Sequence, residues 1–425
     1  MPRIKSRKKS WFVGLLPHRT SRQWIVRGQL ALLVSACAFF STSSSWAVVI
    51  DDIDPESAYA LAPINGLVAA SYAERNLRRS ASEADRAIAV QTARHALKLD
   101  PTATDALNVL GVSAQLNEQS AQVRSIYRYS LILSRRELQP QLWAIEDAVD
   151  RGDIEAALSS YDLALRTSRN APDILMPNLV NALEEPALRA ALLDNLREPP
   201  VWTEEFLVRA VRSRRSPSSV LTFLNEGRSI PLPVTQSMRE ELIISLFRVG
   251  ELDTAWALYK EVRDAPTRNR SSDPEFKLST KIRTVFDWRI PNETSFSAGI
   301  FQEEGSGILD FSVPPGVGGE VVRQTMLLPA GTYRLEGRSR DLSIDDSGRP
   351  YWRLICEKGH ELGRVEVPNS STANGQFSGT FIVPSDCQAQ TLTLVIRPTD
   401  DISGISGQVT RAAIVPISEM ESSQT

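Results

Sequence analysis

Histidines and paired carboxylates are the side chains of this 425-residue chain that could do catalytic chemistry. His95 lies in a helical stretch and His360 follows Gly359 in a predicted turn, and neither belongs to a metal-ligand or nucleophile motif. Two carboxylates could carry glycoside hydrolysis, but no spacing brings a particular pair together. We predict no enzyme, no catalytic residue and no cofactor, with a cryptic glycan hydrolase as the less favoured alternative.

Acidic pairs in two predicted turns, Asp345-Asp346 and Asp400-Asp401, could hold calcium. Calcium takes about six to eight oxygen ligands, and a loop with two acids more often forms an ordinary turn. We therefore predict no metal site.

Exposed aromatic rings could stack on sugars, and four aromatic side chains of the C-terminal half are candidates: Trp288, Phe301, Tyr351 and Trp352. Adjacent strand residues point to opposite faces of a sheet. Trp352 shares its face with Leu354 and Cys356, which predicts a core position. Tyr351 then faces outward and is the predicted ligand platform.

Two cysteines, Cys356 and Cys387, fall in one predicted β domain of an exported protein, and this favours a disulfide. A closed loop of this length would add about 3 kcal/mol of stability in the chain-entropy model. Two buried free thiols are the alternative.

Export is predicted by the N-terminus. The first 28 residues contain eight Lys or Arg and no acid, and an apolar run at 30–40 and Ser45-Trp46-Ala47 follow. These are the parts of a secretory signal peptide, and the apolar run is shorter than the roughly 20 residues that span a bilayer. We predict that residues 1–47 are cleaved after Ala47, with a retained anchor as the alternative. Val34-Ser35-Ala36-Cys37 resembles a lipobox, which would imply lipidation of Cys37.

Removal of residues 1–47 would lower Lys plus Arg from 48 to 40 against 51 acids, a net charge of about −11. Nucleic-acid binding depends on neutralising phosphates, so this balance excludes nucleic acid as a partner. Contact with a membrane is expected only through the N-terminal segment, if that segment stays uncleaved or is lipidated.

In the predicted helical part of the chain, residues 48–264, similar residues recur every 34 positions. Small and aromatic residues recur in columns, which are Ala89, Val123 and Ala157, then Ala93, Tyr127 and Tyr161, then Ala96, Ser130 and Ala164. Leu107 and Gly111 fit a first helix, Pro101 ends a unit, and Ala255 and Tyr259 repeat the pattern late in the chain. On these residues the chain resembles the tetratricopeptide repeat family, although Ile145 stands where that family has Gly.

That resemblance implies a helical solenoid whose inner face binds a protein partner. Family members that bind peptide carboxylates use Asn on first helices, and Asn108 is the matching candidate in this chain.

A polar, Pro-containing stretch at 265–283 is a predicted linker. Residues 284–418 then alternate about ten short strands with turns, which favours a β-sandwich, and 419–425 form a polar tail. Leu328-Pro329-Ala330-Gly331-Thr332-Tyr333 and Phe381-Ile382-Val383-Pro384 resemble turns of the galactose-binding-like jelly rolls, which include carbohydrate-binding modules. The resemblance implies a fold and leaves sugar binding open.

Together these predictions describe an α-then-β protein of the cell envelope, exported and periplasmic. The repeats would bind a protein, and the sandwich would bind a glycan or brace an assembly, as in exopolysaccharide assembly or export. A purely structural protein–protein adaptor is the alternative.

Overall fold

The computed structural model describes residues 21–79, 82–292, 295–303, 305–344 and 348–417. Asp345, Asp346 and the predicted tail lie outside these ranges. The chain forms two compact units, Met1–Ala171 and Pro172–Thr425. Helices come first and antiparallel strands follow, so the predicted α-then-β fold class is confirmed. Membership of the tetratricopeptide family stays a prediction.

Fourteen α-helices occur within the described residues. They are α1 Ser21–Ile50, α2 Pro55–Leu61, α3 Gly66–Arg79, α4 Glu83–Leu99, α5 Thr104–Leu116, α6 Ser120–Leu133, α7 Leu138–Asp150, α8 Ile154–Thr167, α9 Ala171–Asn181, α10 Pro186–Asn195, α11 Thr203–Arg212, α12 Pro217–Glu226, α13 Gln236–Arg248 and α14 Leu252–Val262.

Helix ends follow the local sequence. α8 begins after Asp153, whose carboxylate accepts a hydrogen bond from the Ala156 amide at 3.0 Å. Gly152 before it has φ +69°, a left-handed conformation that ends α7 at low steric cost. α4 begins in the same way, since Ser82 Oγ accepts from the Asp85 amide.

The first unit packs its helices in consecutive pairs through small side chains. One core cluster consists of Ala69, Ala70, Ala73, Ala89, Ala93, Ala96, Ala103, Ala106 and Val109. Ala157, Ala164, Leu107 and Gly111 are also buried, Tyr161 is half-buried and Pro101 is exposed just after α4. Tyr127 is fully buried, and its ring occupies the space where a Cβ on Gly111 would lie.

In the part of the chain that the structure describes, nine strands form two antiparallel sheets. They are β1 Ser297–Glu303, β2 Ser306–Val313, β3 Gly319–Met326, β4 Gly331–Arg340, β5 Tyr351–Cys356, β6 Glu361–Glu366, β7 Gln376–Val383, β8 Gln390–Ile396 and β9 Ile405–Pro416. One sheet has the order β1-β2-β9-β4-β7 and the other β3-β8-β5-β6. Inward side chains from both sheets form one core that includes Trp288, Trp352 and Phe381.

The predicted linker at 265–283 is a packed part of the second unit. The Ser271 amide donates to the Ile414 carbonyl oxygen of β9, and the Ile414 amide donates to Ser271 Oγ. Phe276 is fully buried in the sandwich core. The polar composition misled the prediction because these residues satisfy their backbone groups against a strand edge. A surface linker would satisfy them with water.

Residues 285–290, where the sequence pattern predicts the first strand of the sandwich, do not form a strand. Arg289 forms an isolated bridge with Arg323, and the Val285 carbonyl oxygen accepts a hydrogen bond from the Thr325 amide, but these contacts with β3 do not make a strand ladder. Asp287 Oδ2 accepts from both the amide and the hydroxyl of Thr284, so a local side-chain turn replaces the strand ladder.

Buried charges join this segment to the last helix pair. Arg263 at the end of α14 donates to Glu240 at 2.7 Å and to Asp287 at 2.9 Å. Both acids are 1% exposed. The buried Tyr259 hydroxyl donates to Asp287, and the half-buried Thr280 hydroxyl donates to Glu240.

Candidate functional site

An exposed aromatic ring lies on the outer face of the five-stranded sheet. Phe301 of the edge strand β1 is 59% exposed. Its ring atoms would lie 2.5 Å from a Cβ on Gly299, the next outward position of β1. The missing side chain at residue 299 therefore lets the ring lie against the strand. Ile308, the cross-strand partner of Phe301 in β2, is buried.

A row of polar side chains crosses the same face. Gln408 of β9 donates to Asp310 of β2 at 2.8 Å, and Arg340 of β4 donates to Gln408 at 2.7 Å. Arg340 also donates to Glu303 of β1 at 2.9 Å. Core residues alternate with these positions, so the row faces away from the core. The hydrogen bond from Arg340 to Glu303 raises the pKa of that guanidinium.

The structure corrects the predicted platform at Tyr351. Its side chain lies outside the core cluster, on the face opposite Trp352, but is only 8% exposed. The guanidinium carbons of Arg364 and Arg397 lie 4.8 and 4.6 Å from its ring centroid. The alternation of strand residues predicted on which face of the sheet Tyr351 lies. It could not show that arginine side chains from neighbouring strands cover the ring.

The other aromatic candidates are core residues. Trp352 is fully buried, with its ring 5.6 Å from that of Trp288, and Cys356 belongs to the same cluster. Trp288 Nε1 donates to the Asp273 carbonyl oxygen at 2.9 Å. Among the four aromatic candidates, the structure leaves Phe301 as the one exposed ring.

The predicted disulfide is present between Cys356 and Cys387. Within the described residues these two sulfurs and Glu357 form a group close enough to bind a metal ion, but both sulfurs are used in the disulfide. Asp401 accepts hydrogen bonds from the amide and hydroxyl of Ser403, which lower its pKa and form an ordinary turn.

Asn108 is buried in α5, which corrects its predicted role on the ligand surface. Its Nδ2 donates to Glu137 at 3.3 Å, and Thr104 donates to the same carboxylate. Nearby, burial raises the pKa of Asp105 to about 7, with Glu74 and Glu137 adding repulsion. Asn108 therefore joins α5 to Glu137 and does not lie on an open surface.

A basic cleft lies between α6 and α7 of the first unit, with a volume of about 730 Å³. We call it the arginine cleft; it is lined by Arg124, Arg128, Leu131, Ile132, Arg135, Trp143, Asp147 and Arg151. The one acid in the lining, Asp147, bonds Arg124 and Arg151, and the Arg124 hydrogen bond lowers its pKa. Among the residues that the structure describes, no carboxylate forms an ion pair with Arg128 or Arg135.

Cys37 of the predicted lipobox lies in the middle of α1 and is exposed as a free thiol. Ala47, the predicted last residue before cleavage, lies in the same helix and is buried. Neither residue takes part in the two surfaces above.

Comparisons with known proteins give only distant similarities. No family model matches the chain, and no curated protein matches it. Among solved structures, the enzymatically active domain of tailspike protein 4 of bacteriophage CBA120 is 11% identical, with 35% of this chain and 22% of that chain covered and a TM-score of 0.25. The chain thus spans about a fifth of that protein.

Two carbohydrate-binding modules are also similar to part of the chain. A family 4 module is 13% identical, with 35% of this chain and 99% of that module covered and a TM-score of 0.26. A family 6 module from Clostridium stercorarium, solved with cellobiose, is 14% identical over 31% of this chain and 87% of the module, with a TM-score of 0.20. Similarity this distant supplies no argument about ligand or activity.

Proposed function

We propose that the protein is a non-catalytic scaffold of the cell envelope. Its sandwich binds a glycan on the outer face of the five-stranded sheet, and its helix pairs bind an acidic segment of a partner protein. The observation that carries the glycan proposal is the exposed Phe301 ring beside the polar row of that face.

Sugar rings combine apolar C–H faces with a rim of hydroxyl groups. An exposed ring such as Phe301 can take the apolar face, and a few placed polar groups can orient the hydroxyls. Asp310, Gln408, Arg340 and Glu303 already hold one another in position, so a glycan would not have to order them. Their formal charges sum to −1, which favours a neutral glycan over an acidic one.

The test uses the full chain against immobilised neutral polysaccharides such as xylan, mixed-linkage glucan and galactan. We expect one of them to bind, and Phe301→Ala to weaken that binding at least tenfold. Ile382→Ala is the matched control, since Ile382 is 67% exposed on β7 at the opposite edge of the sheet. Binding to no neutral glycan, or equal binding by both variants, would contradict the proposal.

The same samples separate binding from hydrolysis. Incubation of the full chain with the bound glycan should release no new reducing ends. Release that disappears in Asp310→Asn or Glu303→Gln would establish a hydrolase in place of a scaffold.

The arginine cleft supports the second part of the proposal. Arg124 and Arg128 lie about one turn apart on α6, roughly 6 Å along the axis at 1.5 Å per residue, and Arg135 follows just after the helix ends. Two of these cations lack a described ion-pair partner in a chain with a net negative charge. A segment with several Asp or Glu would gain from both its charge and contact with Trp143.

Polyglutamate is the probe for this surface. We expect the full chain to bind it in a salt-sensitive manner, and Arg128→Glu with Arg135→Glu to weaken binding at least tenfold. Arg94→Glu, an exposed change on α4, is the control for net charge. If the control weakens binding equally, general charge and not the cleft explains the binding.

A further inference from the structure

The helix α1 is longer than the apolar run in the sequence suggests. It extends over Ser21–Ile50, and residues 28–50 carry no charged side chain. These 23 residues rise about 35 Å along the helix axis, enough to cross a hydrocarbon core of about 30 Å. The sequence analysis counted residues 30–40 alone because Ser and Thr follow Phe40.

Two of the five hydroxyl side chains between Phe40 and Trp46 donate hydrogen bonds inside the helix. Thr42 Oγ1 donates to the Ala38 carbonyl oxygen at 2.8 Å, and Ser43 Oγ donates to that of Phe40 at 3.1 Å. A hydroxyl bonded to its own helix can lie in lipid without an unpaired polar group. The Ser/Thr patch therefore does not end the membrane-compatible stretch.

Large apolar side chains project from all sides of α1. At 100° per residue, the exposed positions are distributed around the helix axis: Leu30, Leu32, Leu33, Val34, Phe39 and Phe40. Such a helix is typical of a membrane span. An amphipathic helix docked on protein would bury one of these faces.

The charges at the two ends of this stretch have opposite sign. Arg22, Arg27 and the six other basic residues of the N-terminus come before it, and Asp51, Asp52 and Asp54 come directly after it. Basic residues stay on the cytoplasmic side of a membrane. This asymmetry places everything after Asp51 on the opposite side.

The C-terminal end of α1 is attached to the helices that follow. Ala47 is fully buried in a cluster with Ala58, Ala62 and Val68. Arg75 of α3 donates to the Asp52 carbonyl oxygen at 3.1 Å. The helix thus continues through the predicted cleavage position and is packed there.

We infer that α1 is retained as a transmembrane anchor with the lipid bilayer around it, and that Ala47 is a packing residue and not a cleavage site. A peptidase that cuts after Ala47 needs residues 45–48 as accessible extended chain. Helical hydrogen bonding and burial of Ala47 both oppose that conformation. This inference stands on α1 and α2–α3 and does not depend on glycan or partner binding.

The test expresses the full chain in a bacterial host and follows it through fractionation. We expect the intact mass to include residues before Ala47, and the protein to stay in the membrane pellet after an alkaline carbonate wash. A mature N-terminus at Val48 with release into the periplasmic fraction would overturn the inference. An acylated N-terminus at Cys37 would overturn it as well.

A helix-breaking variant tests the physical cause. Ser43→Pro removes a backbone donor and kinks α1 between the apolar run and Ala47. We expect this variant to be cleaved and released, while Ser43→Ala stays intact in the membrane. Retention of the uncleaved Ser43→Pro chain would show that helix continuity does not protect Ala47.

Discussion

The helix pairs of the first unit and the sandwich of the second unit build their cores in opposite ways. Eight alanines and one valine form the main cluster of the helix pairs, so close backbone approach fills the interior. The sandwich fills its core with large side chains, including Phe276, Trp288 and Trp352. We expect added side-chain volume to destabilise the core of the helix pairs. We expect the loss of side-chain volume, or of a constraint such as the disulfide, to destabilise the core of the sandwich.

Charge differs between the two units as well. The arginine cleft keeps cations at the surface of the helix pairs, where salt screens them. The second unit buries Arg263 with Glu240 and Asp287. Burial lowers the pKa of Arg263, but the two carboxylates outweigh burial and raise it overall. Four predictions test this contrast.

The largest effect is expected from Arg263→Met. It leaves two carboxylates buried without their cation, which should lower the free energy of unfolding by about 3–5 kcal/mol. Urea unfolding followed by tryptophan fluorescence measures the loss. Arg268→Met removes an exposed ion pair with Asp253 and should cost less than about 1 kcal/mol. Equal losses in the two variants would show that burial does not decide the effect.

Removal of the disulfide should come next. Cys356 and Cys387 are 31 residues apart, so Cys356→Ala with Cys387→Ala should cost about 3 kcal/mol. We expect the strand-containing transition in a thermal scan to move down and the helix-pair transition to stay in place. If both thermal transitions move down together, the two units unfold cooperatively, and the expected difference between their cores is not found.

Added volume in the helix pairs should cost about 1–3 kcal/mol. In Gly111→Ala the new Cβ would overlap the Tyr127 ring. A second change, Tyr127→Leu, should cost less in the Gly111→Ala background than in the native chain, because the clash is relieved. The double-mutant cycle is read by chemical unfolding, with exposed Gln122→Ala as the neutral control. Simple additivity would mean that the two side chains do not share the space.

The smallest effect concerns pH. Burial raises the pKa of Asp105 to about 7, so folding favours its protonated form. This stability is fully present below the ordinary value near 4 and is lost as pH rises towards 7. Asp105→Asn should remove the dependence, and urea unfolding of both chains at pH 5 and pH 7 measures it. If the free energies of unfolding of the two chains differ by the same amount at both pH values, the pKa of Asp105 is not raised.

Sequence patterns predicted much of the fold and little of the site. The spacing of 34 located Ala89, Ala96 and Ala164, which are buried in the structure, and turn residues located most strands. The ring at Tyr351 was predicted exposed and is covered, since its neighbours Arg364 and Arg397 come from other strands. One sequence feature marked Phe301, which was its position two residues after Gly299. This feature did not distinguish Phe301 from the other three aromatic candidates.

The presence of two cysteines in one β domain favoured the disulfide, and the structure decided for it over two free thiols. The sequence by itself determined the order of helices and strands and the basic N-terminus. These depend on local periodicity, composition and charge, which neighbouring residues in the chain carry. Tertiary structure decided that residues 265–283 pack against β9, that Ala47 is buried and that Arg263 meets Glu240 and Asp287. Such contacts join residues far apart in the chain, and their energies depend on burial that no local pattern specifies.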